Sequence, residues 1–378
     1  MWTQNNLKVM FDISTRCNAG CPQCHRTDVN NISKKVSWLP DVVWSLENFK
    51  KAIPPKMAKM MYNADFCGTW GDPITNNNLI DIVEYLVKEN PNIKIDINTN
   101  GSLRNEEWWW KLGVTGGKNI CVVFAVEGIN QEMHEHYRQN TYLNKILENM
   151  MILSNTLAHI KTQCLVWKHN ENHLQEIEDL CIKHGSKSHV LMKTDRFGDK
   201  EVDGDNYFFV HKGKEKVLQQ TSWQVENNNS DIVQTSRRRY KREEKKLPGT
   251  PMHLVRNLRM KKQKMNITCE WGNKNKVVVN PDGQVWPCCF FCNTTFKSKF
   301  TNANDSKFQN NPVMMEYNKS KSDLNVFNNS LDKIINDKWY KTTLPNSWES
   351  NEPVNQCVRY CGEKSQIKKM LDGIDVEN

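Results

Sequence analysis

No run of 18 apolar residues occurs in this 378-residue chain, so no transmembrane helix is expected. The opening residues, MWTQNNLKVMFDIS, lack a basic segment followed by an apolar one, so no export signal is expected either. Internal repeats of solenoid length are also missing. These absences give the thirteen cysteines their meaning. Without an export route they belong to a reducing compartment, expected to be the cytoplasm. There, clustered cysteines are metal ligands more often than disulfides. Outside one stretch the chain also lacks a charge excess. Residues 236–264 hold twelve Lys and Arg against two acids, a net +10, and the rest of the chain is left at −1. No RNA-recognition or zinc-finger spacing accompanies that stretch. It reads as a solvated connector, with contact to a nucleic acid or another polyanion as the alternative.

What the chain does have is alternation. From residue 7 to about 195, strand patterns at 7–13, 60–67, 93–97, 119–126, 160–167 and 188–193 alternate with helical ones. The first strand carries Leu7, Val9, Phe11 and Ile13 at a spacing of two. The clearest helix spans 79–89, where Leu79, Ile82, Val83, Leu86 and Val87 make an apolar stripe after cap candidates Asn76 to Asn78. Another spans 173–184, with Leu174, Ile177, Leu180 and Cys181 on one face. Six βα units in a row favour a parallel sheet with helices outside, as an open barrel or a doubly wound sheet. Trp108, Trp109 and Trp110 cannot share one helix face, so one or two should pack inside and one should be exposed. The polar residues 198–264 read as a connector or insertion. From 265 a second region begins, with a short strand signal at Val277–Val279 and a turn at Asn280-Pro281-Asp282-Gly283.

Directly after the first strand stand Cys17, Cys21 and Cys24, spaced C-x3-C-x2-C. Three thiolates on one loop can hold three irons of a [4Fe–4S] cube and leave the fourth iron for a non-protein ligand. A structural zinc site would normally want a fourth protein ligand. The loop lies at a strand's C-terminal end, where chemistry collects in such folds.

The C-x3-C-x2-C loop resembles the signature of the radical S-adenosylmethionine (radical SAM) superfamily. Four further segments match that family in order. Phe66-Cys67-Gly68-Thr69-Trp70-Gly71-Asp72-Pro73 stands where the family carries Gly-Gly-Glu-Pro. Asn98-Thr99-Asn100-Gly101 ends the third strand, Val126-Glu127-Gly128 with His136-Tyr137-Arg138 follows the fourth, and Asn170 follows the fifth. The resemblance covers about 7–197. It implies a partial (β/α)6 TIM-like barrel whose cluster binds SAM and cleaves it reductively to a 5′-deoxyadenosyl radical. It also implies a SAM neighbourhood of Gln23, Gly71, Asp72, Asn98, Asn100, Arg138 and Asn170. In it Asp72 meets the SAM amine and Arg138 the SAM carboxylate. A low-potential donor of the flavodoxin or ferredoxin type would supply electrons. The chain departs from the family at Gln23, usually aromatic, at Asp72, usually Glu, and at Ala125 and Glu127, usually Ser and Asp.

The later cysteines are Cys269, Cys288, Cys289, Cys292, Cys357 and Cys361. Cys269-x13-Gly283-x4-Cys288 resembles the opening of the SPASM and twitch domains that follow many radical SAM cores. That resemblance implies a small α+β domain with an auxiliary [4Fe–4S] cluster on Cys269, Cys288, Cys357 and Cys361. Cys289 and Cys292 are left over. A four-thiolate zinc site is the competing reading. Cys67, Cys121, Cys164 and Cys181 read as buried core thiols. The expected organisation is a radical SAM core over 1–197, a connector over 198–264 and a twitch-like domain over 265–378. The expected activity is net oxidation or cross-linking of a peptide side chain or a small polar metabolite, with Arg196 as a substrate contact. Modification of a nucleic acid docked on 236–264, and a non-catalytic zinc protein, are the alternatives.

Overall fold

The computed structural model describes residues 2–3, 5–194, 202–203, 205–223, 266–300, 306–350 and 352–362. Six strands lie where the alternation places them: β1 (Leu7–Phe11), β2 (Met61–Phe66), β3 (Lys94–Thr99), β4 (Ile120–Ala125), β5 (His159–Leu165) and β6 (Ser188–Met192). Each pairs in parallel with the next. Helices cover one face: α1 (Leu46–Ala52), α2 (Pro55–Met60), α3 (Leu79–Glu89), α4 (Glu106–Gly116), α5 (Gln131–Tyr137), α6 (Leu143–Ser154) and α7 (Leu174–Lys183). The spacing of two puts Leu7, Val9 and Phe11 on that covered face, all fully buried. Phe11 packs on Phe49 of α1 at 5.3 Å and on Phe66 of β2 at 5.8 Å between ring centroids. Burying each such ring contributes about 1.5–3 kcal/mol.

The opposite face of the same strands is polar, with Lys8, Asn63, Asp65, Asp96, Asn98 and Lys161 among its residues. Parallel strands covered by helices on both faces would be apolar throughout. This polar face therefore marks an interior meant for water or a polar guest. Asp65 pairs with Lys276 at 2.9 Å and accepts from Asn98 Nδ2 at 3.1 Å. Asn63 Nδ2 donates to Asp96 at 2.6 Å.

Two further strands complete an eight-stranded sheet. β10 (Lys276–Val279) pairs in parallel with β1, and β11 (Val285–Trp286) runs antiparallel to β10. The order is β11-β10-β1-β2-β3-β4-β5-β6, and among the described residues β6 does not close on β11. The fold is thus an open, partial barrel. The expected turn links β10 to β11: Gly283 N donates to Asn280 O at 2.9 Å, and Gly283 takes φ +79°. Within 198–264 the described part is a three-stranded antiparallel sheet, β7 (Val202–Asp203), β8 (Asn206–His211) and β9 (Lys214–Gln219). Arg196 and the basic stretch 236–264 lie outside the described residues.

Two local expectations gain detail. The cap of α3 is not a side chain at Asn78, which makes no such bond. Asn76 does that work, accepting from Asn78 N at 2.8 Å while its amide donates to Ile13 O and Trp44 O. It ties the end of β1 to the start of α3. In α4, Trp109 is fully buried and Trp110 is 49% exposed, as one apolar face requires.

Candidate active site

β1 runs directly into the first cysteine loop. Trp44 N donates to Ile13 O at 3.0 Å, and Gly20 N donates to Gln139 O at 2.9 Å, so both ends of the loop are pinned. Gly20 allows this, since a Cβ there would lie 2.4 Å from Ile32 O. Cys17 Sγ accepts from Ala19 N at 3.4 Å and from Asn100 Nδ2 at 3.7 Å. Cys21 Sγ accepts from Arg138 Nη1 at 3.6 Å. Burial pushes the Cys17 thiol well up, with Asp72, Cys21 and Cys24 adding to it. Burial raises Cys21 to about 11, against the pull of Arg138, and Cys24 raises it further.

The donor set fits a cluster. Soft thiolates select iron–sulfur centres, and N–H groups aimed at sulfur stabilise the anionic ligand. Among the described residues no three His, Cys, Asp or Glu side chains converge where a single metal ion would sit. A four-iron cube asks for something else, because each thiolate binds its own iron.

Asp72 and Asn100 are bound to each other beneath this loop. Asp72 Oδ2 accepts from Asn100 Nδ2 at 2.6 Å, Asn100 N at 2.8 Å and Thr99 Oγ1 at 3.0 Å. Its Oδ1 accepts from Ile74 N at 3.2 Å. Burial raises the Asp72 pKa, and these donors oppose the shift. Gly71 has a tighter role than approach to a ligand. A Cβ there would lie 2.2 Å from Ser14 O and 2.7 Å from Arg16 O, both backbone atoms. Asp72 N meanwhile donates to Arg16 O at 2.7 Å. We therefore expect Gly71→Ala to push the Asp72 segment off the cysteine loop. Anaerobic iron counting should show the first cluster lost or sharply reduced; wild-type iron content would contradict this packing.

Glu127 and Arg138 form a forked pair, Nε to Oε2 at 2.9 Å and Nη2 to Oε1 at 2.7 Å. The Glu127 side chain is fully buried. Its neighbour His134 accepts from Glu127 N at 3.2 Å and faces Thr141 Oγ1 at 3.0 Å, so Nε2 carries the proton. Burial drives the His134 pKa down to about 3, with Arg138 next in effect, and the ring stays neutral. Beyond its bonds to Glu127 and Cys21, Arg138 keeps further N–H groups on Nη1 and Nη2.

Asn170 does not face an open site. It is fully buried, its Nδ2 donates to Glu127 O at 3.1 Å and Leu165 O at 3.0 Å, and its Oδ1 accepts from Trp167 N at 2.7 Å. It clips the ends of β4 and β5 together. Asn98 lies on the polar sheet face against Asp65. Gln23 accepts from Thr194 Oγ1 at 3.2 Å. With Cys24 it lines a cavity of about 210 Å³ whose other walls include His25, Trp38, Tyr207 and Lys297.

The later cysteines fall into two groups. Cys269, Cys288, Cys357 and Cys361 line one small apolar cavity with Trp271, Phe290 and Trp348. Burial raises Cys269 to about 12, and Cys361 adds to that shift. Burial also raises Cys288 and Cys357. Four such thiols suit an iron–sulfur cluster or zinc by donor type. Cys289 and Cys292 do not line this cavity. Cys292 donates to Asn280 Oδ1 at 2.5 Å. Of the thiols read as core, Cys164 and Cys181 are fully buried. Cys67 and Cys121 are half-buried, because their strand parity turns them away from the helices.

One residue escaped the sequence reading. Asp12 follows Phe11 on the polar parity of β1, five residues before Cys17, and is 1% exposed. Its Oδ1 accepts from Thr69 N at 3.0 Å and Trp70 N at 3.3 Å, while Oδ2 has no partner among the described residues. The available signal was an acid set between Phe11 and Ile13, at the end of a buried strand.

Residues 11–181 match the model of the radical SAM superfamily. A 145-residue stretch is 29% identical to the 7,8-dihydro-6-hydroxymethylpterin dimethyltransferase of Methanocaldococcus jannaschii, covering 37% of this chain. The match spans about a quarter of that relative, 26% of its length. Two solved structures share the fold. Streptococcus suis SuiB bound to precursor peptide SuiA gives a TM-score of 0.54 at 11% identity, over 90% of this chain and 67% of that one. The protein anSMEcpe with bound AdoMet gives 0.51 at 12% identity, over 97% of this chain and 95% of that one.

Proposed function

The chain carries a radical SAM domain and is an enzyme of that superfamily, and from this premise we propose that it oxidises or cross-links a polar substrate, a peptide side chain or a small metabolite. When bound, SAM and the clusters supply reductive cleavage, hydrogen-atom abstraction by the 5′-deoxyadenosyl radical and an acceptor for the remaining electron. Cys17, Cys21 and Cys24 hold the SAM cluster. Asp72 Oδ1, with one long bond to Ile74 N, is the oxygen left to meet the SAM amine. Arg138 offers its remaining N–H groups to the SAM carboxylate. The aromatic walls Trp38 and Tyr207 of the cavity beside Gln23 suit a flat heteroaromatic ring.

The observation that carries the oxidative reading is the cavity shared by Cys269, Cys288, Cys357 and Cys361. Four thiols leave no open iron on a cube, which suits electron transfer better than substrate ligation. The polar sheet face of Asp65, Asp96, Lys276 and Lys161 favours a substrate bound by hydrogen bonds over an apolar one. The test is anaerobic reconstitution followed by reduction with SAM. Formation of 5′-deoxyadenosine is expected, and a protein that binds zinc without iron and yields none would end this reading.

A further inference from the structure

The network around Glu127 is more elaborate than anchoring one arginine requires. The acid is fixed at every polar group: its N–H by neutral His134, its C=O by Asn170, both carboxylate oxygens by Arg138. Gly128 lets α5 approach, since a Cβ there would lie 2.4 Å from His134 N. The product of this bracing is a partly buried guanidinium whose Nη1 meets the sulfur of Cys21. We propose that the Glu127–Arg138 pair is a charge-positioning device that sets the reduction potential of the cluster held by Cys17, Cys21 and Cys24. This rests on the superfamily reading and adds to it a role other than contact with SAM.

The sign follows from geometry. Reduction adds one negative charge to the cluster and its sulfurs, and breaks no bond. A cationic N–H donor at Cys21 stabilises the reduced state, as hydrogen bonds to sulfur do generally. Glu127 lies on the far side of that guanidinium and partly neutralises it. Removing the cation and removing the anion must therefore shift the potential in opposite directions. A purely structural bridge would not show opposite signs.

The experiment uses the full chain, reconstituted anaerobically and held without SAM. The reduced fraction of the cluster is followed by EPR against a graded series of reductant potentials. The signal is assigned as the one missing in Cys17→Ala. Arg138→Met should lower the reduced fraction about tenfold at a fixed potential near the wild-type midpoint, on the scale of one charged hydrogen bond. Glu127→Gln should raise the reduced fraction. Arg138→Lys, which keeps charge without the fork, should fall between Arg138→Met and wild type. If Arg138→Met fails to take up iron, the sign of the Glu127→Gln shift decides alone. Wild-type midpoints in iron-replete variants, or shifts of the same sign, would overturn the proposal. A wild-type protein that builds no cluster would instead defeat the superfamily reading on which it rests.

Discussion

Alanine in place of Cys361 is expected to remove about half of the iron, from ~8 to ~4 atoms per chain, and to leave SAM cleavage standing. Cys361 lies with Cys269, Cys288 and Cys357 around one cavity, remote in sequence from the Cys17–Cys24 loop. A cube that loses one of four thiolates finds no fifth cysteine among the residues lining that pocket. Cys289 and Cys292 do not line the cavity, and Cys292 already donates to Asn280. Cys289→Ala and Cys292→Ala should therefore keep the wild-type iron count. The loss should also loosen the fold locally. The helix Asn355–Cys361 is also held by the Phe290–Tyr360 stack, centroids 3.7 Å apart, by the Thr268 N to Cys361 O hydrogen bond and by the Ile267–Gly362 bridge. Limited proteolysis after residue 350 should accelerate in Cys361→Ala. Iron counting and 5′-deoxyadenosine formation, measured on the same samples, check the prediction. Full iron in Cys361→Ala with half the iron in Cys289→Ala would reassign the ligands.

The parts of the site legible in the sequence are those that local chemistry dictates. A three-cysteine loop after a strand of Leu7, Val9 and Phe11 can be placed without a structure, because strand parity and thiolate chemistry are both short-range. The grouping of Cys269, Cys288, Cys357 and Cys361 came from a family resemblance, and the cavity they share agrees with it. Hydrogen-bond partners were not legible. Asn170 carries the residue type of a ligand contact, yet its amide is used on the backbone of Glu127, Leu165 and Trp167. Gly71 reads as room for a ligand, whereas the room is taken by the carbonyls of Ser14 and Arg16. The parallel pairing of Lys8 with Lys276 joins positions too distant for any local pattern to connect. The hairpin of β8 and β9 did have a local signal, alternating Tyr207 and Phe209 and a Lys212-Gly213 turn with both φ positive. The polar composition around it concealed that signal.

Asp12→Asn should stabilise the protein against alkali by a margin that grows from about pH 4 to about pH 8. Desolvation raises the Asp12 pKa from 3.8 to about 8, overriding the Thr69 and Trp70 amides that lower it, and Asp65 nearby adds to the rise. Cys67 and Cys292 also feel the charge on Asp12, and both are pushed up by burial, so they stand beside it as neutral thiols. In this window the native state keeps the proton that the unfolded chain has released. Stability therefore falls as pH rises, and levels off once the native carboxyl ionises. A rise of that size corresponds to an upper bound of about 6 kcal/mol. Asparagine keeps the oxygen that accepts from Thr69 and Trp70 but has no proton to lose. The unfolding midpoints of wild type and Asp12→Asn should converge toward about pH 4 and be fully separated by about pH 9. An infrared band of a buried neutral carboxyl should disappear near pH 8 in wild type only. Parallel midpoints across that range would show that Asp12 is ionised throughout. In that case an anion would stand at the end of β1, five residues before the thiolates. A neutral Asp12 instead leaves the Glu127–Arg138 pair as a charged group hydrogen-bonded to a sulfur of the cysteine loop, which is what makes its two halves separable by mutation.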